Sequence, residues 1–289
     1  MRRLLAPLLL LAAVTLFLGI AGVALFGIAR AADGRALADA AAGLVAVSGE
    51  VQSAPIEVGP FTRLDLAGNA DVSLIQGDRE AVVIEGPSRG QARVLVRSSG
   101  GRLTIAAPED RKWWSMFGSS SGRPTITVYF RRLDTLSLAG SFDLRAPSLE
   151  GDTLRISASG ATSISIEELR LRTLRFTGSG AVEATFAGRV TEQDVAISGA
   201  GEYRARELVS DAASVSVSGA GSAVVNAQKT LSATLSGVGE IAYYGNPEVK
   251  RRLSGLGRIE HRSEVEPARL VPRDATAARS PPSAGSPRV

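Results

Sequence analysis

Side chains that could support acid–base or metal chemistry are scarce in this chain. His261 is the single histidine and there is no cysteine, which excludes a thiolate metal site and a cysteine nucleophile. Asp71 and Asp143 each follow a recurring glycine by three residues, and such a carboxylate pair would suit Ca²⁺ binding or sugar chemistry. The next equivalents are Ser163 and Ala181, so no acidic cluster builds up. We predict no catalytic residue, no metal site and no cofactor, and a capping role for His261.

Trp113 and Trp114 are the two tryptophans of the chain and are adjacent, between charged residues and a run of serine and glycine. Tryptophan joins a large apolar ring to a polar N–H group and is enriched where proteins meet partners or bilayer interfaces. We therefore predict a binding role for Trp113 and Trp114. The alternative is that their loop folds back as an apolar lid over the end or side of the protein.

A glycine recurs every 18 to 21 residues through the second half of the sequence. The recurring glycines are Gly140, Gly160, Gly178, Gly199, Gly219, Gly237 and Gly255, with an earlier equivalent at Gly68. Positions two and four before each glycine, and four and six after it, are mainly apolar, whereas the positions between them are polar or small. This alternation predicts two short one-sided strands per repeat, joined by a glycine turn.

One such repeat cannot bury its apolar face, but repeats stacked at the strand spacing of about 4.8 Å bury it against their neighbours. The sequence therefore predicts an all-β fold: a single right-handed parallel β-helix, or β-solenoid, with coils of about 18–21 residues. Hydroxyl residues precede most of the glycines, at Ser159, Thr177, Ser198, Ser218, Ser236 and Ser254. We expect them to stiffen the turns through backbone hydrogen bonds, and the alternative is a flat ligand-binding array.

The N-terminus has the features of an export segment. Arg2 and Arg3 precede an uncharged, mainly apolar run over residues 4–29, which predicts an N-terminal hydrophobic helix. It is either a cleaved signal peptide or an uncleaved inner-membrane anchor, and both place the rest of the chain in the periplasm or cell envelope. We predict a signal or anchor at 1–31, an Ala-rich spacer at 32–54, the solenoid at 55–262 and a disordered Pro/Ser/Arg tail at 263–289. Segments between 55 and 130 are predicted to form wider, less regular first coils.

The charge balance argues against a polyanionic partner. Residues 1–31 hold three arginines and no acid, which leaves 30 basic and 29 acidic side chains in the rest of the chain. A net charge near +1 gives no electrostatic footprint for nucleic acid, so we predict no nucleic-acid partner.

Several sequence stretches resemble one known family. They are the segment from Phe61 to Gly68, the segment from Asp71 to Gly77, the serial Ser-Gly-x-Gly turns, and the motif from Tyr244 to Pro247. Over roughly residues 55–261 the chain resembles the family described as putative auto-transporter adhesin, head GIN domain. The resemblance implies a β-helical extracytoplasmic module with an adhesin-like role.

These observations predict a non-catalytic extracytoplasmic envelope protein that acts as an adhesin-like, scaffold or binding module. The expected partner is an envelope glycan or another envelope protein, together with the inner membrane if residues 4–29 remain uncleaved. Two alternatives stay open: a polysaccharide-active enzyme on the same fold, and a membrane-tethered regulatory or sensory module.

Overall fold

The computed structural model describes residues 55–86, 94–107 and 123–263, together with the backbone of residues 44–47. The predicted N-terminal helix, most of the spacer, the loop with Trp113 and Trp114, and the tail after Ser263 lie outside these residues. Within the described part of the chain, no helix has the length and apolarity needed to cross a membrane.

The described residues are all-β and form eleven strands in one sheet. The strands are β1 (Leu44–Val47), β2 (Ile56–Glu57), β3 (Arg63–Gln76), β4 (Ala81–Glu85), β5 (Val94–Ser99), β6 (Arg102–Ala107), β7 (Thr125–Phe130), β8 (Thr135–Ala146), β9 (Leu149–Gly199), β10 (Glu202–Tyr244) and β11 (Glu248–His261). Their order is β1-β5-β6-β3-β8-β9-β10-β11, and a side branch pairs β7 with both β3 and β4, and β4 with β2.

From β3 onward, successive repeats lie side by side in parallel register. Gly140 is the register partner of both Gly68 and Gly160, and Gly219 pairs with Gly199. β9 and β10 are long because each runs through more than one repeat without a break in strand geometry. The predicted parallel stacking of equivalent positions is therefore present in the structure.

One predicted member of the glycine series is wrong. Gly180, with φ +100°, occupies the stacked position, because a Cβ there would lie 2.6 Å from the carbonyl oxygen of Gly160. Gly178 is buried instead, and a Cβ on it would lie 3.2 Å from the Phe176 ring. The sequence offers two glycines, two residues apart, and a period of two gives both choices the same set of inward residues.

The core is a row of apolar side chains that stack through the sheet. Leu136, Ile156, Val195, Val215 and Ala233 occupy one inward position and are at most 1% exposed. Each packs against its equivalents in the neighbouring repeats, which is how these short strands bury their inward faces. The row ends in β11, where the equivalent residue is Arg251, and Arg251 is exposed.

The first part of the sheet departs from the prediction of parallel coils. β5 and β6 form an antiparallel hairpin, and β4 pairs antiparallel with β2 and with β7, although β3 is parallel to both β6 and β7. The hairpin turn is Gly100-Gly101, with φ of +57° and +73°. Two consecutive residues at positive φ are typical of the tight turn that joins antiparallel strands, so this glycine pair reverses the chain. β1 lies inside the predicted spacer and pairs antiparallel with β5.

Candidate functional site

Two columns of glycine run along one corner of the stacked repeats. The first is the series with positive φ, and the second follows it by two residues at Gly201, Gly221, Gly239 and Gly257. A Cβ on Gly221 would lie 2.9 Å from the carbonyl oxygen of Gly201, so neighbouring backbones approach too closely for a larger residue. Because the second column carries no side chains, the surface over it is hollow.

The hollow is a groove of about 930 Å³ that crosses five repeats. Its lining includes the residues between the two glycine columns: Ala181, Ala200, Ala220, Val238 and Leu256. At about 4.8 Å per strand these five residues span about 19 Å. Val238 and Leu256 are 58% and 80% exposed, so the groove becomes more apolar toward β11. We refer to this feature as the glycine groove.

Acidic residues on one side of the glycine groove are held by arginines. Arg204 forms hydrogen-bonded ion pairs with Glu183 and with Glu202, and these bonds raise the pKa of the Arg204 guanidinium above its ordinary value. In the last repeats the Arg258 Nη2 lies 2.8 Å from a carboxylate oxygen of Glu240. The pairing fixes these side chains and largely cancels their charge, so this edge is polar without a strong field.

Exposed serines form a ladder on the other side of the first glycine column. Its members in the later repeats are Ser179, Ser198, Ser218, Ser236 and Ser254. Ser179 takes the place that Thr177 holds in the prediction, because the glycine series shifts by two residues. Register pairing of Ser218 with Ser198, and of Ser254 with Ser236, sets the hydroxyls at the strand spacing of about 4.8 Å. In an earlier repeat the Ser159 hydroxyl donates to the carbonyl of Leu138 at 3.2 Å, which is the predicted turn-stiffening bond.

The structure brings Asp71 and Asp143 together as register partners of adjacent parallel strands. Each has its own arginine: Arg123 Nε lies 3.3 Å from Asp71 Oδ1, and Arg145 Nη2 lies 3.3 Å from Asp143 Oδ2. The two carboxylates are thus compensated by two guanidinium groups. Across the described residues there is no group of three or more histidines and acids arranged to hold a metal ion.

His261 lies at the end of β11 and is exposed. Its Nε2 is 2.8 Å from the carbonyl oxygen of Gly245, and its ring centroid is 5.1 Å from that of Tyr243. These contacts tie the last strand to the preceding turn, in agreement with the predicted capping role.

A series of hydrogen bonds between buried polar groups inside the core was not predicted from the sequence. The Tyr203 hydroxyl donates to Gln193 Oε1 at 3.2 Å, Gln193 Nε2 donates to Ser210 Oγ at 2.7 Å, and Ser210 Oγ donates to the Asn226 carbonyl at 2.8 Å. Burial raises the pKa of the Tyr203 phenol, so it remains a donor. Gln193 falls two residues before inward Val195, and that spacing is the signal that could have revealed it.

Trp113 and Trp114 lie outside the described residues, but the strand ends on either side of them are fixed. Ala107, the last residue of β6, pairs with Gly68, and Thr125, the first residue of β7, pairs with Asp71. The insertion between them therefore begins and ends at the corner where the glycine column starts.

Comparison with solved structures supports this fold. A putative adhesin from Bacteroides fragilis is 22% identical, with a TM-score of 0.65, over 76% of this chain and 96% of that one. A putative lipid binding protein from Parabacteroides distasonis is 21% identical, with a TM-score of 0.55, over 74% and 97%. A putative adhesin from Parabacteroides merdae is 19% identical, with a TM-score of 0.50, over 76% and 96%. None of the curated proteins matches the chain.

The family comparison agrees with the expectation from the sequence motifs. The match covers residues 60–247, which include β3 to β10 and most of the glycine groove. It begins next to buried Phe61 and ends at Pro247, so it includes the first and last motifs that carry the resemblance. The chain belongs to the family described as putative auto-transporter adhesin, head GIN domain.

Proposed function

We propose that the chain is a non-catalytic, adhesin-like binding module of the cell envelope that holds a repetitive polymer along the glycine groove. An envelope glycan is the first candidate for that polymer. The observation that carries the proposal is the repetition of one surface: a serine hydroxyl, a glycine of the first column and an apolar side chain recur at the strand spacing through five repeats, and the apolar side chains line the groove.

The physical basis is a match between two repetitive surfaces. Hydroxyls in a fixed ladder offer both donors and acceptors to a polyol, while the alanines and the exposed backbone accept its C–H faces. The strand hydrogen bonds hold these groups in place before the ligand arrives, so little conformational entropy is lost on binding. The exposed side chains of Val238 and Leu256 add apolar surface that a ligand can bury on binding.

We assign Trp113 and Trp114 to the same surface. Their loop leaves and rejoins the sheet at the Gly68 corner, which lies on the same column as the groove. A pair of aromatic rings there would extend the contact beyond the Ala181 end of the groove, which is opposite the apolar end at Leu256. In a straight stack the seven strand steps from Gly68 to Gly255 separate the two ends of the column by about 34 Å, which suits an extended polymer better than a compact ligand.

The finer architecture and location belong to the same proposal. Parallel register between repeats supports a right-handed β-helix over residues 55–262. The basic and then apolar N-terminus supports export, with residues 1–31 as a signal or inner-membrane anchor and residues 32–54 as a spacer. Under this proposal the binding surface faces the periplasm or the cell exterior.

The test is binding of the full-length chain to purified envelope polysaccharide, measured by co-sedimentation. We expect the double variant Val238→Asp, Leu256→Asp to lose about tenfold in affinity, because carboxylates desolvate poorly against an apolar sugar face. Leu95→Asp is the matched control, since Leu95 is 48% exposed on β5, away from the groove. Equal binding by both variants and the parent chain would refute the groove as the site.

A second pair of variants tests the tryptophan assignment. Trp113→Ala with Trp114→Ala should weaken polysaccharide binding and leave the melting temperature unchanged. A drop of many degrees in the melting temperature, with binding intact, would instead support the lid interpretation.

A further inference from the structure

The last strand of the sheet has one unpaired edge. Among the described residues β11 pairs with β10 alone, so the N–H and C=O groups on its far side have no strand partner. Leu253 stands in the inward column and is 52% exposed, whereas its equivalents Leu235 and Val217 are 0% exposed. An open edge beside an uncovered core residue is a surface to which another strand can add.

Basic side chains dominate the part of the β11 edge that precedes Gly255. Within the described ranges, no carboxylate lies within 4.0 Å of Lys250, Arg251 or Arg252 in an ion pair. Arg251 occupies the inward position that Ala233 fills in the preceding repeat. Its Nη2 lies 3.4 Å from the Tyr243 hydroxyl and its guanidinium 6.0 Å from the Tyr243 ring centroid, so it stands over the end of the core.

These charges disfavour a second copy of the chain as the occupant. Two β11 edges paired in parallel would set Arg251 against Arg251. Antiparallel pairing centred on Gly255 would set Lys250 opposite Glu260, but it would also set Arg252 opposite Arg258 and bury Arg251 beside Ile259 without a counter-ion.

The same charge disfavours the chain's own continuation as the occupant. The last three glycines of the column are 18 residues apart. A further repeat of that length would place Arg269 directly over Arg251, again with like charges in contact.

We propose that the β11 edge binds an extended acidic segment of another protein by β-strand addition. The backbone edge supplies hydrogen bonds, an inward Asp or Glu of the partner pairs with Arg251, and flanking acids meet Lys250 and Arg252. An apolar partner residue two positions further along covers Leu253. The arrangement rejects basic strands, including this chain's own, and accepts acidic ones, which makes the charge a specificity device as well as edge protection.

This site is separate from the proposed polysaccharide contact. The partner strand would lie on the end of the stack and pair with β11 through its backbone, whereas the glycine groove runs along the flank of the stack. Binding at one site can therefore fail while binding at the other persists.

The probe, called the glutamate–valine peptide, is a fluorescein-labelled peptide of about eight residues that contains Val-Glu-Glu-Glu-Val, so that its three glutamates face residues 250–252 and a valine covers Leu253. It is titrated into the full-length chain at low ionic strength, and the lysine–valine peptide has lysine in place of each glutamate. Fluorescence anisotropy should show saturable binding, with amide exchange in β11 slowed. A lysine–valine peptide should not bind. A glutamate–valine peptide with a central proline should bind at least about tenfold more weakly, since it lacks a ladder donor.

Charge reversal provides the decisive comparison. The double variant Lys250→Glu, Arg252→Glu should bind the glutamate–valine peptide about tenfold more weakly, and it should bind the lysine–valine peptide. Arg155→Glu with Arg175→Glu is the matched control, because both arginines are exposed in β9 and the net charge changes equally. Equal effects of the two double variants, or unchanged exchange in β11, would overturn the proposal. Polysaccharide binding should persist in both.

Discussion

Gly219→Ala tests the central feature of the fold, the close contact between glycines of successive repeats. Gly219 has φ +108°, and an alanine Cβ at this position would lie 2.7 Å from the carbonyl oxygen and 3.1 Å from the nitrogen of Gly199. The neighbouring backbone belongs to a paired strand, so it cannot move away without breaking register hydrogen bonds. The substitution therefore adds backbone strain and a steric clash at once.

The cost follows from these two contributions. A residue with a Cβ in this region of φ costs about 1–3 kcal/mol, and a methyl group forced against packed backbone costs about 1–3 kcal/mol more. We expect a loss of about 4 kcal/mol in the free energy of unfolding. For a domain of this size that loss lowers the melting temperature by about 8–16 °C.

The assay is thermal unfolding followed by circular dichroism, with Gly151→Ala as the matched control. Gly151 also lies in a strand, but its φ is not in the left-handed region and a Cβ would meet only Leu171 Cδ2 at an ordinary 3.5 Å. We expect this control to melt within about 2 °C of the parent. If Gly219→Ala melts as the parent does, the stacked-glycine model of the corner is wrong.

Two further predictions address the core and the exposed ion pairs. Val217→Asp should prevent folding, since Val217 is 0% exposed and a carboxylate there has no partner. Ser218→Asp is the control, and it should change the melting temperature little because Ser218 is exposed. A cooperative transition of Val217→Asp near the parent temperature would contradict the inward register. Arg172 donates to both oxygens of Asp152, at 2.7 and 3.1 Å, and lowers the carboxyl pKa below its ordinary 3.8. Because the carboxyl pKa is lower in the folded state, the ion pair stabilises the fold at pH values above the unfolded pKa, and this stabilisation is lost as the pH falls through the folded pKa. Arg172→Gln should therefore cost a little stability at pH 6 and none near pH 2. A difference of the same size at both pH values in urea unfolding would exclude this charge effect.

The repeat could be predicted because the same alternation of apolar and polar residues around a glycine occurs in each repeat. Inward residues such as Ile156, Val195 and Val215 alternate with polar ones at a fixed distance from a glycine, and their burial follows the prediction. The prediction that Gly178 belongs to the glycine series is wrong, because Gly178 and Gly180 satisfy the alternation equally. Only the stacking of Gly180 against Gly160 distinguishes them.

What could not be predicted depends on contacts that occur once. Among the described residues, the antiparallel hairpin at Gly100-Gly101 and the buried Tyr203–Gln193 bond have no equivalent in the other repeats. The glycine groove was not predicted either, although every residue that lines it is present in the sequence. Its hollow shape arises because glycines of successive repeats form a column without side chains only when the repeats stack.

Nearest-neighbour pairing has a consequence for how the molecule opens. β8, β9, β10 and β11 follow one another in both sequence and space, so the contacts in the later part of the chain join mainly successive repeats. Loss of β11 would leave β10 still supported by β9, whereas disorder within β9 would divide the sheet into two smaller parts that no longer reinforce each other. Cooperativity in such a linear array is regional, and resistance to transient opening should increase from the terminal strand toward the interior.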